Sequence, residues 1–158
     1  MDFLASNCVM ENLSFPDQVF KSLLFAPGNK RSILSKLPRS SPDASIIDLE
    51  DSVPTDEKTN ARETARVMIP ELSEKAKKMG LFVRVNAFGT EHFAEDLSIA
   101  ISDELTGVIV PKISSKEEAD QISKSLSDFG FGGLPIMAGL ETVSGLVNAL
   151  EIAKHPQV

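Results

Sequence analysis

The chain has 158 residues, 42% hydrophobic and 25% charged, the balance of one globular domain rather than a disordered chain. Its net charge of −7 argues against general nucleic-acid binding, which needs a basic face, and leaves anionic small molecules to local Lys and Arg clusters. No apolar run reaches the 18 or more residues of a membrane span. Cys8 is the single cysteine, so no internal disulfide forms. The first twenty residues carry Asp2, Glu11 and Asp17 and no Lys or Arg, the wrong charge for a leader, so a cytoplasmic location is expected.

Residues 1–20 lack a clear period and read as an N-terminal arm; residues 21–158 form the domain. Ser22–Ala26 is a short apolar run stopped by Pro27-Gly28-Asn29, a strand and its turn. Lys30–Leu37 carries apolar residues at helical spacing. Ala44–Asp48 is a second strand, running into the acidic Asp48-Leu49-Glu50-Asp51. Thr55 opens a long helix, acidic at its start and rich in Lys near its end, which Pro70 is expected to break or kink. Leu81–Asn86 is the third strand and residues 93–102 the next helix. Gly107–Val110 is the fourth strand, ended by Pro111-Lys112. A helix over 115–129 begins Ser-Lys-Glu-Glu, close to a capping box. Leu134–Leu140 is the fifth strand and residues 143–153 the last helix.

Five β-α units in succession argue for an α/β fold with a parallel sheet. Strands apolar throughout fit a sheet covered on both faces. The pattern suits both the open doubly wound sheet and the eightfold β/α barrel. No G-x-G-x-x-G follows the first strand, so a dinucleotide site has no support. Polar residues gather at the C-terminal strand ends, where both folds place their chemistry: Asn29, Glu50 and Asp51, Arg84 and Asn86, Lys112, Glu141.

Each of these groups has two readings. Asp48, Glu50 and Asp51 are either a helix-capping, solvated cluster or carboxylates that hold water near a metal; Asp48 also suits a structural hydrogen-bonding role. Arg84 stands in an apolar strand and needs a partner. Glu50 is the obvious one; the alternative is a substrate carboxylate, which its planar fork suits. Glu141 follows small residues and is either a cap or a metal ligand. Lys112 is either an ion-pair partner or a phosphate contact. His92 and His155 have no ligand-spaced partners, and Cys8 has no basic neighbour to activate it.

Taken in order, Lys21-Ser-Leu-Leu-Phe-Ala-Pro-Gly-Asn29, Ile47-Asp-Leu-Glu-Asp51, Val83-Arg-Val-Asn86, Val110-Pro-Lys112 and Leu140-Glu-Thr142, with Gly145-Leu146 and Asn148, resemble the citrate lyase beta subunit and its relatives. These are the citrate-lyase-beta-like proteins and malyl-CoA lyases of the HpcH/HpaI aldolase superfamily. The resemblance runs from Lys21 to about Ala153. It implies a (β/α)8 TIM-type barrel of the phosphoenolpyruvate-binding superfamily, with about five of its units in these residues. It also implies Mg²⁺ and carbon–carbon lyase chemistry on CoA or acyl-carrier thioesters of citrate, malate or citramalate type. Glu141 would be a Mg²⁺ ligand and Arg84 would bind the keto-acid carboxylate and polarise its carbonyl. Glu50 and Asp51 would hold metal-bound water or orient Arg84, and Lys21 and Asn29 would lie on the CoA or rim side.

Three departures qualify it. Lys21 stands where the family usually opens with Arg, which loses the fork. Ile113-Ser114-Ser115 replaces a common Val-Glu-Ser. The family's second metal carboxylate, an Asp one unit after the Glu, would fall near about position 170 at roughly 30 residues per unit. The 158 residues alone are therefore expected to show little or no lyase activity. Two alternatives remain: a non-catalytic binding or assembly module, pairing its open sheet edges as a homo-oligomer, and an aldolase using pyruvate or oxaloacetate without CoA.

Overall fold

The computed structural model describes residues 19–158. The arm expected over residues 1–20, with Cys8, lies outside the described residues as far as residue 18. Five strands, β1 (Leu23–Pro27), β2 (Ala44–Asp48), β3 (Gly80–Arg84), β4 (Gly107–Val110) and β5 (Ile136–Ala138), form one sheet in the order β1-β2-β3-β4-β5. Every pairing is parallel. A doubly wound sheet reverses its strand order at a switch point, whereas this one never does, so the winding is that of a β/α barrel.

Burial confirms the winding. Ala26, Ile47, Val83, Val108 and Ile136 share one face of the sheet. They join the large core with Leu34, Leu37, Met68, Ile69, Leu97, Ile122, Leu126 and Ile152 from the helices. The opposite face carries a small cluster of Ala44, Ile46, Phe82 and Ile109, with Phe20 and Met137 against it and, among the described residues, no helical residue in it. The Phe20 ring meets Phe82 edge-on at 5.5 Å. Helices therefore cover one face, and the other is the inner wall of the barrel.

The helices are α1 (Arg31–Leu34), α2 (Leu37–Ser40), α3 (Lys58–Lys75), α4 (Glu91–Ala100), α5 (Lys116–Asp128), α6 (Val143–Val147) and α7 (Ala149–Ala153). Four sequence expectations change. The single helix over 30–37 is two short ones, α1 and α2, of four residues each. The helix over 143–153 divides at Asn148, whose backbone (φ −94°, ψ 7°) leaves helical geometry while its side-chain amide donates to the Ser114 carbonyl at 2.9 Å. Pro70 does not break α3. Pro70 is exposed, and the carbonyl it leaves without an N–H belongs to exposed Arg66, where solvent can serve it. Only half of the capping box forms. Ser115 Oγ accepts the Glu118 N–H at 3.2 Å, but the Glu118 carboxylate turns to Ser114, accepting its N–H at 2.7 Å and its hydroxyl at 2.6 Å.

No helix among the described residues is long and apolar enough to cross a membrane.

Candidate functional site

Register explains the centre of the site. Side chains alternate between faces along a strand, so Ala44, Ile46 and Asp48 of β2 share the inner face. Asp48 pairs in register with Arg84, the last residue of β3. The two charged ends of apolar strands thus meet side by side at the C-terminal rim of the inner wall. Arg84 Nε donates to Asp48 Oδ1 and Arg84 Nη2 to Asp48 Oδ2, both at 2.7 Å. This fork corrects the expectation that Glu50 is the principal partner of Arg84. Glu50 Oε2 lies 3.2 Å from the remaining Nη1. Beneath the guanidinium, Phe25 presents its ring 5.0 Å from Cζ, a cation–π support.

Asp48 also shapes the loop that follows. Its Oδ1 accepts the Glu50 N–H at 3.0 Å and its Oδ2 the Ser52 N–H at 3.1 Å. Burial pushes the Asp48 carboxyl up. The hydrogen bonds from Arg84, Ser52 and Glu50, with the Arg84 charge, outweigh this and hold it below the usual carboxylate value. The same pairing, led by the hydrogen bond to Asp48, raises Arg84. The structural hydrogen-bonding role considered for Asp48 is the one its geometry shows.

Glu50 is buried and Asp51 exposed. Lys112, just past β4, reaches Glu50 Oε1 at 2.7 Å and Asp51 Oδ1 at 3.8 Å. The hydrogen bond to Glu50, with the surrounding carboxylates, raises its ammonium. Lys112 takes the ion-pair reading, and it does so with a left-handed backbone (φ 61°), a strained conformation for a side chain of this size. Glu141 arrives from the loop after β5. Gly139 makes that approach possible: a Cβ there would lie 2.9 Å from Glu141 Oε1 and 2.9 Å from Pro111 Cα.

Glu50, Asp51 and Glu141 each offer a carboxylate oxygen, all within 4.8 Å of one another. Glu50 Oε2 is buried and makes no hydrogen bond. A buried carboxylate oxygen with spare capacity, beside two solvent-facing carboxylates, is a donor set that fits a hard divalent cation. The neighbouring Arg84 Nη1 and Lys112 suit an anionic oxygen.

The other expected residues divide. Asn29 stands at the same end of the sheet, just past β1, and its Oδ1 is buried without a hydrogen bond. Gly28 before it packs so closely that a Cβ would lie 2.8 Å from Leu49 Cδ2. Lys21 precedes β1 at the opposite end of the sheet, where its backbone N–H donates to Asp43. The structure does not bring it to the carboxylates, which lie roughly 20 Å away at about 3.3 Å per strand residue.

Sequence reasoning gave no role to the layer beneath. Lys58, in the first turn of α3, is buried with its ammonium on Leu49 O (2.6 Å), Glu50 O (2.7 Å) and Asn86 Oδ1 (2.7 Å). Asn86 in turn gives its backbone and side-chain N–H groups to Asp96 Oδ2, each at 2.7 Å. Arg62 Nη1 approaches Asp96 Oδ1 at 3.2 Å, and Arg62 also pairs with Glu95. Burial dominates both ionisable ends: it lowers Lys58 and raises Asp96, against the opposing pull of their partners. One sequence signal pointed here. A lysine in the first turn of a helix opposes the helix dipole, so its charge must be used elsewhere.

Residues 21–158 match the family described as HpcH/HpaI aldolase/citrate lyase. The chain belongs to this family. Among curated HpcH/HpaI relatives, a citrate lyase subunit beta-like protein of Deinococcus radiodurans is 44% identical over 148 residues, 92% of this chain and 51% of that protein. A (3S)-malyl-CoA thioesterase of Cereibacter sphaeroides is 34% identical, over 88% of this chain and 46% of its own length. The crystal structure of CitE from Mycobacterium tuberculosis in complex with magnesium, acetoacetate and coenzyme A superposes with a TM-score of 0.68 at 29% identity. It covers 85% of this chain and 45% of that one. The chain thus spans about half the length of these HpcH/HpaI relatives, and its five units are part of a TIM-type barrel.

Proposed function

We propose that this chain carries the first part of the active site of a Mg²⁺-dependent carbon–carbon lyase. Its substrate is a CoA or acyl-carrier thioester of a citrate-, malate- or citramalate-type acid. The observation that carries the reading is the carboxylate group Glu50, Asp51 and Glu141, in which the buried Glu50 Oε2 makes no hydrogen bond and has only the Arg84 charge beside it. A bound Mg²⁺ would supply Lewis-acid stabilisation of the negative oxygen that develops as the bond next to a carbonyl breaks. Glu141 would be its direct ligand, and Glu50 and Asp51 would hold metal-bound water. Arg84 receives the keto-acid carboxylate. Two of its nitrogens are committed to Asp48, so it meets that carboxylate through Nη1 and not through a full fork. Asn29 lies on the rim where the thioester enters. The magnesium and coenzyme A bound to the M. tuberculosis protein support the cofactor and the substrate class.

The relatives named malyl-CoA thioesterase favour a second reading, and one assay separates the two. A lyase converts malyl-CoA to acetyl-CoA and glyoxylate, while a thioesterase releases free malate and CoA. The 158 residues alone are expected to give little of either. Turnover by them at the rate of a full-length relative overturns that expectation. Binding of pyruvate without CoA would favour the CoA-independent aldolase. For the metal, titration with Mn²⁺ as the probe is expected to show a site that Glu141→Gln weakens about 10- to 100-fold. No Mn²⁺ binding by the wild-type chain overturns the metal reading. Self-association through the sheet edges belongs instead to the non-catalytic assembly module, and a well-behaved monomer in sedimentation counts against that alternative.

A further inference from the structure

We propose that Lys58 is the positioning residue of the Glu50 loop, and that it fixes the buried carboxylate before any ligand arrives. This rests on the carboxylate group being the functional site. An ammonium has three protons, and here each has one acceptor at 2.6–2.7 Å: the carbonyls of Leu49 and Glu50 and the side chain of Asn86. Nothing is left over for substrate, so the group is a clamp and not a catalyst. It joins α3 to two strand ends at once. The β2 end enters through two successive carbonyls, and the β3 end through Asn86, whose Nδ2 also donates to Leu49 O at 3.0 Å.

From above, Asp48 holds the same loop by the N–H groups of Glu50 and Ser52. The Glu50 backbone is therefore gripped on both sides, its N–H by Asp48 and its C=O by Lys58. The carboxylate meets Lys112 through Oε1 and Arg84 Nη1 through Oε2, and this double grip on the backbone sets where those contacts fall. Behind Lys58, Asn86 is fixed by Asp96, and Asp96 by Arg62. The clamp is thus anchored one layer deeper, in side chains that are themselves buried.

The test compares Lys58→Met with Met68→Ala, a core truncation ten residues further along α3, about 15 Å from Lys58 at about 1.5 Å per residue. Amide hydrogen exchange is measured without metal, and Mn²⁺ affinity is measured separately. Lys58→Met is expected to lower protection of the Glu50, Ser52 and Val53 amides about tenfold relative to Met68→Ala. It is also expected to weaken Mn²⁺ about 10- to 100-fold while Met68→Ala does not. Unchanged exchange at these amides in Lys58→Met, or an equal loss in Met68→Ala, overturns the clamp. Absence of Mn²⁺ binding in the wild type sinks the metal reading alone, because the exchange comparison needs no metal. If Lys58→Met does not fold, the wild-type ammonium decides by NMR. Slowly exchanging Lys58 Nζ protons support the clamp, and freely exchanging ones overturn it.

Discussion

The middle of the sheet and its flank are built differently. Every residue of β2 and β4 is buried, and the charged groups at the ends of β2 and β3 are locked by short, mutually satisfied bonds. On the flank, α6 and α7 leave Val143, Leu146, Val147 and Leu150 between 65% and 80% exposed. In β1, Leu23 and Phe25 are 40% and 49% exposed. The candidate site straddles this divide. Asp48, Glu50, Arg84 and Lys112 come from the buried middle, and Glu141 comes from the loop leading into the exposed flank. Most of the site is thus pre-set, and one carboxylate is carried by the less supported side.

Breaking the middle should have the largest effect. Arg84→Ala leaves the buried Asp48 carboxylate unpaired and is expected to cost about 3–5 kcal/mol in urea unfolding. Asp48→Asn comes next, at about 2 kcal/mol near neutral pH, because it removes hydrogen bonds to a charged group. That difference depends on pH. The folded Asp48 lies below the usual 3.8, so its contribution is complete above that value and is lost as pH falls through the lowered folded value. Urea unfolding of both proteins at neutral pH and in acid should show the gap closing only in acid. A gap independent of pH would remove the charge from the explanation. The smallest effect belongs to the flank: Val147→Ser is expected to change stability by less than about 0.5 kcal/mol. A larger loss would show that the flank is packed in solution and erase the contrast.

Much of the fold was legible. The strands Ala44–Asp48 and Gly107–Val110 have the bounds their composition suggested, because continuous β-branched and apolar runs admit little else. The gathering of Glu50, Asp51, Arg84, Lys112 and Glu141 followed from their positions at strand ends. Pairing was not legible. Asp48 and Arg84 meet because Ala44 pairs with Gly80, and that register is set by tertiary packing. For the same reason the sequence points to Glu50 as the partner of Arg84, and only the register brings in Asp48. Lys58 and Asp96 are separated by a whole β-strand in the chain, so their shared link through Asn86 has no local signature. The break at Asn148 depends on a carbonyl of the distant Ser114 loop, which helical spacing alone does not reveal.

The uninterrupted strand order has a consequence for how the chain comes to be folded. Among the described strands each pairs with the one before it, so each new unit finds its docking edge already made. Each pairing closes a single crossover, a smaller loop than a pairing between distant units would need, although parallel pairing is itself slow. Growth proceeds in one direction, from β1 toward β5, as the chain leaves the ribosome. The Asp48–Arg84 lock can form once three strands are out, well before Glu141 exists to complete the carboxylate group.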